Sequence, residues 1–233
     1  FAEYCYITPG TCVIKIPDNL TDEMAAPANC ALSTVVAGWE AIDIKPYENV
    51  LIIGAGALGI YAAALAKHYG CRRIVVTDII DRRLEFIKDF GATDTFNTRD
   101  MAENEVVEQV RVLSGGFGVD GVMEVAGVPA LIPMGLKSLR IGGRFVEIGN
   151  SSPGAAFTYD ACDIVWRRLT LKGVHNYDTK HLQMAVDFLS MTRHMFPFEN
   201  IVTHRVPMED TTDGMRIAES GDAIRVAIIP NGD

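Results

Sequence analysis

The sequence predicts an α/β protein built on a doubly wound parallel sheet in the strand order 3-2-1-4-5-6. Three observations carry that expectation. Short β-branched runs alternate with longer amphipathic segments from Val50 onward, the pattern of successive strand–helix units. A glycine-rich turn, Gly54-Ala-Gly-Ala-Leu-Gly59, joins the first of these runs to an alanine-rich helix. Apolar residues make up 48% of the 233, enough to cover both faces of a sheet.

In chain order, 4–7 and 13–16 read as short strands, Thr21-Asp-Glu opens a helix, and a longer helix is expected over 30–44. Strands at 50–53, 73–77, 93–96, 119–124, 143–148 and 169–174 then alternate with helices near 58–69, 81–90, 102–113, 129–139 and 159–166. His68-Tyr-Gly70 and Phe90-Gly-Ala92 are helix stops, because glycine takes the left-handed conformation that closes a last turn. Right-handed crossovers leave the doubly wound order as the simplest arrangement. A helix at 178–191, a strand at 201–206, a helix at 208–220 and a strand at 223–229 complete the chain. Trp39 and Trp166 are expected in the core.

Composition narrows the function. Thirty acidic residues against 21 basic ones give a net charge of −9, so neither nucleic acid nor an anionic membrane is an expected partner. The longest uncharged, mostly apolar stretch, 50–66, has 17 residues with three glycines among them and is too short to span a bilayer. Five cysteines without a Cys-x-x-Cys pair argue against a disulfide framework and against a self-contained structural zinc site, and point to a reducing, cytoplasmic setting. No basic and then apolar leader opens the chain, which begins at Phe1 inside an apparent strand.

The glycine turn is the strongest functional signal. Gly54 permits a tight turn, Gly56 lets backbone approach a pyrophosphate, and Gly59 lets the helix pack close to the strand. Phosphates would face the helix N-terminus, with its free N–H groups and positive dipole end. Asp78 follows Gly59 by 19 residues, at the end of the second strand. Its carboxylate can bind the ribose hydroxyls and repel a 2′-phosphate, which favours NAD over NADP. Arg82 and Arg83 keep NADP open: either could stack on adenine or reach a 2′-phosphate, or could simply be a solvated helix start.

The chain resembles the zinc-dependent alcohol dehydrogenases of the medium-chain dehydrogenase/reductase superfamily. The likeness is carried by Phe1-Ala-Glu-Tyr4, Asn29-Cys-Ala-Leu-Ser-Thr34, the loop Gly54 to Gly59, Val76-Thr-Asp78, Phe90-Gly-Ala-Thr-Asp94, Gly118-Val-Asp-Gly-Val-Met-Glu124, Gly142-Gly-Arg-Phe-Val146, Leu171-Lys-Gly173 and Gly221-Asp-Ala-Ile-Arg-Val226. It implies a Rossmann domain over 31–175, flanked by remnants of a GroES-like catalytic domain at 1–30 and a return to that domain at 176–233. Cys30 would be the third protein ligand of a catalytic zinc; without the resemblance a lone cysteine reads as a small apolar residue. Thr34 and Leu58 would lie near the nicotinamide, with Ala57 beside them in the loop. Val125 and Gly127 would pass the adenosine side, and Ile79 and Arg83 would flank Asp78. Ile148, Val174 and Asn176 would offer backbone groups to the carboxamide. Arg225 would reach the pyrophosphate, or else be a charge guarding a strand edge.

An alcohol dehydrogenase zinc site needs two cysteines and a histidine, and this chain offers Cys30 alone. The resemblance places the other ligands upstream of Phe1. Two explanations follow: the sequence is part of a longer dehydrogenase, which the start inside a strand favours, or it is a nucleotide-binding protein that has lost its metal domain. The function expected is the NAD-binding portion of an oxidoreductase that moves hydride between a small alcohol or carbonyl compound and NAD, with Zn2+ in the full-length parent. The chain alone is expected to bind cofactor without turning over alcohols. A zinc-independent quinone reductase-like enzyme and a non-catalytic dinucleotide-binding module are the alternatives. An open edge at 169–174 suggests a homo-oligomer, a dimer or tetramer.

Overall fold

The computed structural model describes residues 1–230. A short helix α1 (Asp22–Ala25) is capped by the Thr21 hydroxyl, which accepts from the Met24 N–H at 3.3 Å. A 3-10 turn, Ala26–Asn29, leads into α2 (Ala31–Ile42). The central sheet follows with its helices: β1 (Asn49–Ile53), α3 (Ala57–His68), β2 (Arg73–Asp78), α4 (Asp81–Phe86), β3 (Asp94–Asn97), α5 (Glu103–Leu113), β4 (Val119–Glu124), α6 (Ile132–Ser138), β5 (Leu139–Glu147), α7 (Ala161–Trp166) and β6 (Thr170–Gly173). All neighbouring strands are parallel, in the order β3-β2-β1-β4-β5-β6. The chain then forms α8 (Thr179–Thr192), β7 (Val202–Pro207), α9 (Thr211–Glu219) and β8 (Arg225–Ile229), with β7 and β8 paired as a separate two-stranded parallel sheet.

Period-two alternation in the central strands divides the core. Ile52 and Val76 face one layer, where α2, α3 and α8 contribute Val35, Ile60, Ala63 and Leu189. Leu51, Ile53 and Val75 face the other, against Val106 and Val110 of α5 and Leu136 of α6. Both faces are covered, so β1 and β2 read as continuous apolar runs. Helix α3 is buried from Gly59 to Ala66, where small alanines let it lie close to the sheet. Phe90, Phe188, Phe196 and Phe198 form an aromatic cluster that ties α8 to the end of the α4 segment.

The structure departs from the sequence reading in four places. Segments 4–7 and 13–16 are not strands: nothing in 1–16 has regular secondary structure, and Tyr4, Tyr6 and Val13 are exposed. A strand exists only where a neighbour takes its N–H and C=O groups, and no described strand lies beside them. Trp166 is 78% exposed on α7, whereas Trp39 is buried at 6%. The fifth strand starts at Leu139 rather than at 143, with a register irregularity against β4 between Val119 and Gly121. The helices expected near 81–90, 129–139 and 208–220 each divide into an α-helix and a 3-10 turn; Pro129 opens one of those turns.

Candidate functional site

The turn between β1 and α3 is held from both sides. Gly54 sits at φ +108°, a conformation that favours glycine, and its N–H donates to the Thr77 carbonyl at 2.8 Å. A Cβ there would lie 3.0 Å from the Ala126 nitrogen in the loop after β4. A Cβ on Gly59 would lie 3.0 Å from the Gly54 carbonyl carbon and nearer still to its oxygen, so glycine is what allows α3 to start this close to the turn. Gly56 differs: nothing lies within 4 Å of its Cβ position. It is the N-cap of the twelve-residue helix α3, and no side chain caps that end. Uncapped N–H groups therefore face open space in front of Gly56, with Ala57 and Leu58 half-buried beside it.

Asp78 closes the loop from β2. Its carboxylate accepts from Ala55 N–H at 2.7 Å, Ile79 N–H at 2.7 Å and Ile80 N–H at 3.0 Å. These are charge-assisted bonds, and they join the glycine loop to the start of α4. The side chains that flank Asp78 are already committed. Arg82 pairs with Asp222 at 2.9 Å, and Arg82 and Arg83 both donate to the Gly221 carbonyl. Nε of Arg83 and Nε of Arg225 are buried without an acceptor among the described residues, as are Nε of Arg144 and Nε1 of Trp39 elsewhere; an anionic ligand at this site would relieve the first two. Arg225 lies near Tyr61 of α3; burial pushes the Tyr61 phenol up, and the Arg225 charge opposes that rise.

The carboxyl ends of β4, β5 and β6 bring together most of the other expected residues. Val125 N–H donates to the Ile53 carbonyl at 3.0 Å, Ile148 N–H to the Glu124 carbonyl at 3.1 Å, and Val174 N–H to the Glu147 carbonyl at 2.9 Å. Leu58, Val125, Ile148 and Val174 all join the core layer beneath α2 and α3. Gly127 packs on Gly149, and Asn176 takes a left-handed φ of +58° in the exposed loop after β6. Those backbone bonds occupy the N–H groups of Val125, Ile148 and Val174, which leaves their carbonyls to a ligand. Glu124 and Glu147, for which the sequence reading gave no role, stand between these loops. Each ends an apolar run with an acid, and that is the signal that marks them.

Thr34 is buried on α2, its hydroxyl donating to the Cys30 carbonyl at 2.7 Å. Cys30 itself is exposed, at the junction of the 3-10 turn and α2. Beside it, Tyr177 donates its hydroxyl to the Asn29 carbonyl; burial raises the Tyr177 phenol, and the Cys30 and Cys12 thiols add to that. Among the described residues no three His, Cys, Asp or Glu side chains converge to hold a metal. Cys30 is thus a single potential ligand, and the residues present do not make a zinc site. Among the described residues no helix is long and apolar enough to cross a membrane.

Comparison with known proteins agrees with this geometry. Residues 57–191 match the family model described as zinc-binding dehydrogenase. L-threonine 3-dehydrogenase from Stenotrophomonas maltophilia is 32% identical over 235 residues, covering 98% of this chain and 64% of that protein. The enzyme of the same name from Francisella tularensis is 32% identical over 239 residues, with the same coverage. The solved alcohol dehydrogenase TADH from Thermus sp. ATN1 superposes with a TM-score of 0.80 at 27% identity, over 93% of this chain and 61% of that one. An alcohol dehydrogenase from Thermotoga maritima gives a TM-score of 0.88 at 24% identity, covering 94% of this chain and 60% of its own, a likeness of fold. The chain spans about 64% of the length of the curated relatives it matches. With more than half of its length in the family match and the parallel sheet in the expected order, the chain belongs to the zinc-binding dehydrogenase family.

Proposed function

We propose that this chain binds NAD at the β1–α3 turn and supplies the cofactor half of an alcohol or polyol dehydrogenase. The open, uncapped N-terminus of α3 in front of Gly56 is the observation that carries the reading. The pyrophosphate would rest on that helix end, with the leftover Arg83 and Arg225 donors as additional partners. Asp78 would meet the ribose. Arg82 is engaged by Asp222, and the Asp78 carboxylate would repel a 2′-phosphate, which supports NAD over NADP. Ile79 would border the adenosine, Gly127 and Val125 the path along the sheet, and Thr34, Leu58, Ile148, Val174 and Asn176 the nicotinamide. Bound NAD supplies the hydride acceptor; the residues named here orient it and keep water from its reactive face.

The names of the relatives support a small alcohol or its carbonyl product as substrate of the whole protein. In that reading 31–175 is the cofactor domain, while 1–30 and 176–233 belong with a catalytic domain. Cys30 would be one ligand of a zinc completed by residues outside this chain. β6, exposed along its length, is the edge at which a second copy would pair. Thermal unfolding tests the cofactor claim. NAD at a hundred times its dissociation constant raises stability by about 2.7 kcal/mol if only the folded state binds it. No shift at saturating NAD, or a larger one with NADP, refutes the reading.

A further inference from the structure

Glu124 and Glu147 stand opposite each other in register at the carboxyl ends of β4 and β5. Glu124 is 0% exposed. Its Oε1 accepts from the backbone N–H groups of Ala126 and Gly127, both at 2.9 Å. Its Oε2 accepts from Asn150 Nδ2 at 3.3 Å, and the same amide donates to Glu147 Oε1 at 2.9 Å. The Asn150 backbone N–H also donates to Glu147 Oε1, at 2.9 Å. Glu147 Oε2 is buried and receives no hydrogen bond from a described residue. Donors among the described residues thus serve three of the four carboxyl oxygens, and the buried Glu147 Oε2 is left without one.

Among the described residues no cation pairs with either acid. On one side β1 places Ile53 beside Glu124, and on the other β6 places Gly173 beside Glu147. Lys172 of β6 donates to the Ala41 carbonyl, and His175 is exposed in the loop beyond. On α2, which packs Gly38 against Ile148, Glu40 pairs with Lys180 and His181. On α6, Lys137 pairs with Glu103. The glycine loop carries no charged side chain. Glu147 is the charge that acts most strongly on Glu124.

We propose that Glu124 and Glu147 share a single proton and act as positioning residues, holding loops 125–128 and 148–151 in the arrangement the cofactor lies against. The inference rests on the NAD-binding reading above. The two loops form one unit with the pair. The Glu124 carbonyl accepts from Ile148 and Gly149 at 3.1 and 3.2 Å, and a Cβ on Gly127 would lie 2.8 Å from the Gly149 oxygen. Burial first, and then the charge and hydrogen bond of Glu147, push the Glu124 carboxyl up to about 8. The proton is therefore held at neutral pH and lost just above it. Its loss sets two anions face to face, which parts the loops and adds negative charge near a diphosphate ligand.

Titration calorimetry with NAD across pH 6–9.5 tests this on the wild type, Glu124→Gln and Glu147→Gln. If only the protonated pair binds, the wild-type dissociation constant is about tenfold higher at pH 9 than at pH 7. In either variant an amide N–H replaces the shared proton, so both should bind with a flat profile. A flat wild-type profile, or a tenfold rise that survives in the variants, overturns the proposal. If Glu124→Gln does not fold, the wild type and Glu147→Gln decide. A wild type that binds no NAD at any pH refutes the cofactor reading instead, and the pair is then read from urea unfolding. A carboxyl raised from 4.5 to about 8 on folding lowers the folding equilibrium constant as pH rises between those values, by up to tenfold per unit, and levels off above. Equal slopes in the wild type and Glu124→Gln would then overturn the shared proton.

Discussion

Two glycines of the same turn should fail in opposite ways when replaced by alanine. At Gly59 the new methyl group meets the Gly54 carbonyl, whose carbon lies 3.0 Å from the Cβ position. Gly54 cannot retreat, because its N–H is bonded to Thr77 and its other side faces Ala126. Overpacking against fixed backbone costs about 1–3 kcal/mol, and the helix propensity of alanine offsets up to about 1 kcal/mol of that. A Cβ this far inside contact distance puts the cost at the upper end, so Gly59→Ala should lose about 2 kcal/mol, a fall of roughly 4–8 °C in Tm for a chain of this size. At Gly56 no atom lies within 4 Å, and the φ of −77° suits alanine. Gly56→Ala should stay within about 1 kcal/mol of the wild type, because the gain of about 0.4–1 kcal/mol from a less flexible unfolded chain is offset by alanine's poorer fit at the N-cap of α3. Its methyl group, however, fills the space in front of α3, so the stabilisation by saturating NAD should vanish. Calorimetric melting of both variants, with and without NAD, reads all of this. Equal losses of stability in the two, or a full NAD shift in Gly56→Ala, would refute the assignment of packing to one glycine and ligand contact to the other.

Asp78→Asn turns an amide N–H toward the Ala55 N–H or gives up that bond; a loss of about 1.5–3 kcal/mol in urea unfolding is expected, with weaker discrimination between NAD and NADP, and a change below about 0.5 kcal/mol would show that the carboxylate does not hold the loop. Burial, with the charges of Glu48 and Asp120 behind it, pushes the Cys71 thiol up to about 12, so maleimide at pH 8 should label the exposed Cys5, Cys12, Cys30 and Cys162 quickly and Cys71 slowly; rapid labelling of all five would contradict that burial. Iodide should quench the fluorescence of Trp166 and spare Trp39, and Trp166→Phe should remove the quenchable fraction; unchanged quenching in the variant would place Trp166 elsewhere.

Local pattern made the central sheet legible. Leu51-Ile-Ile and Ile74-Val-Val are apolar without interruption because both faces are covered, and Gly70 and Gly91 close helices where the chain must turn left-handed. The glycine turn could be read for the same reason, since Gly54 and Gly59 answer to contacts within one strand–helix unit and the adjoining loop. The errors arose where the partner of a segment is not written in its neighbours. Residues 4–7 and 13–16 have strand composition, but composition supplies no edge to pair with. Trp166 has the side chain of a core residue, yet α7 presents it to the outside. His181, the third residue of an amphipathic helix, is buried where Glu40 meets it from 141 residues away.

Taken alone, the sequence determined the order of the parallel strands, the glycine turn before α3 and the acid at the end of the second strand. These depend on period, turn chemistry and short spacings, which act along the chain. Only the tertiary structure decided which groups were free to meet a ligand. Packing of the 221–222 turn on α4 draws Arg82 and Arg83 to Gly221, and the β4–β5 register sets Glu124 against Glu147. Both results come from contacts between distant residues in a dry interior, where an unpaired charge is costly and the position of each donor settles what a carboxyl group can do.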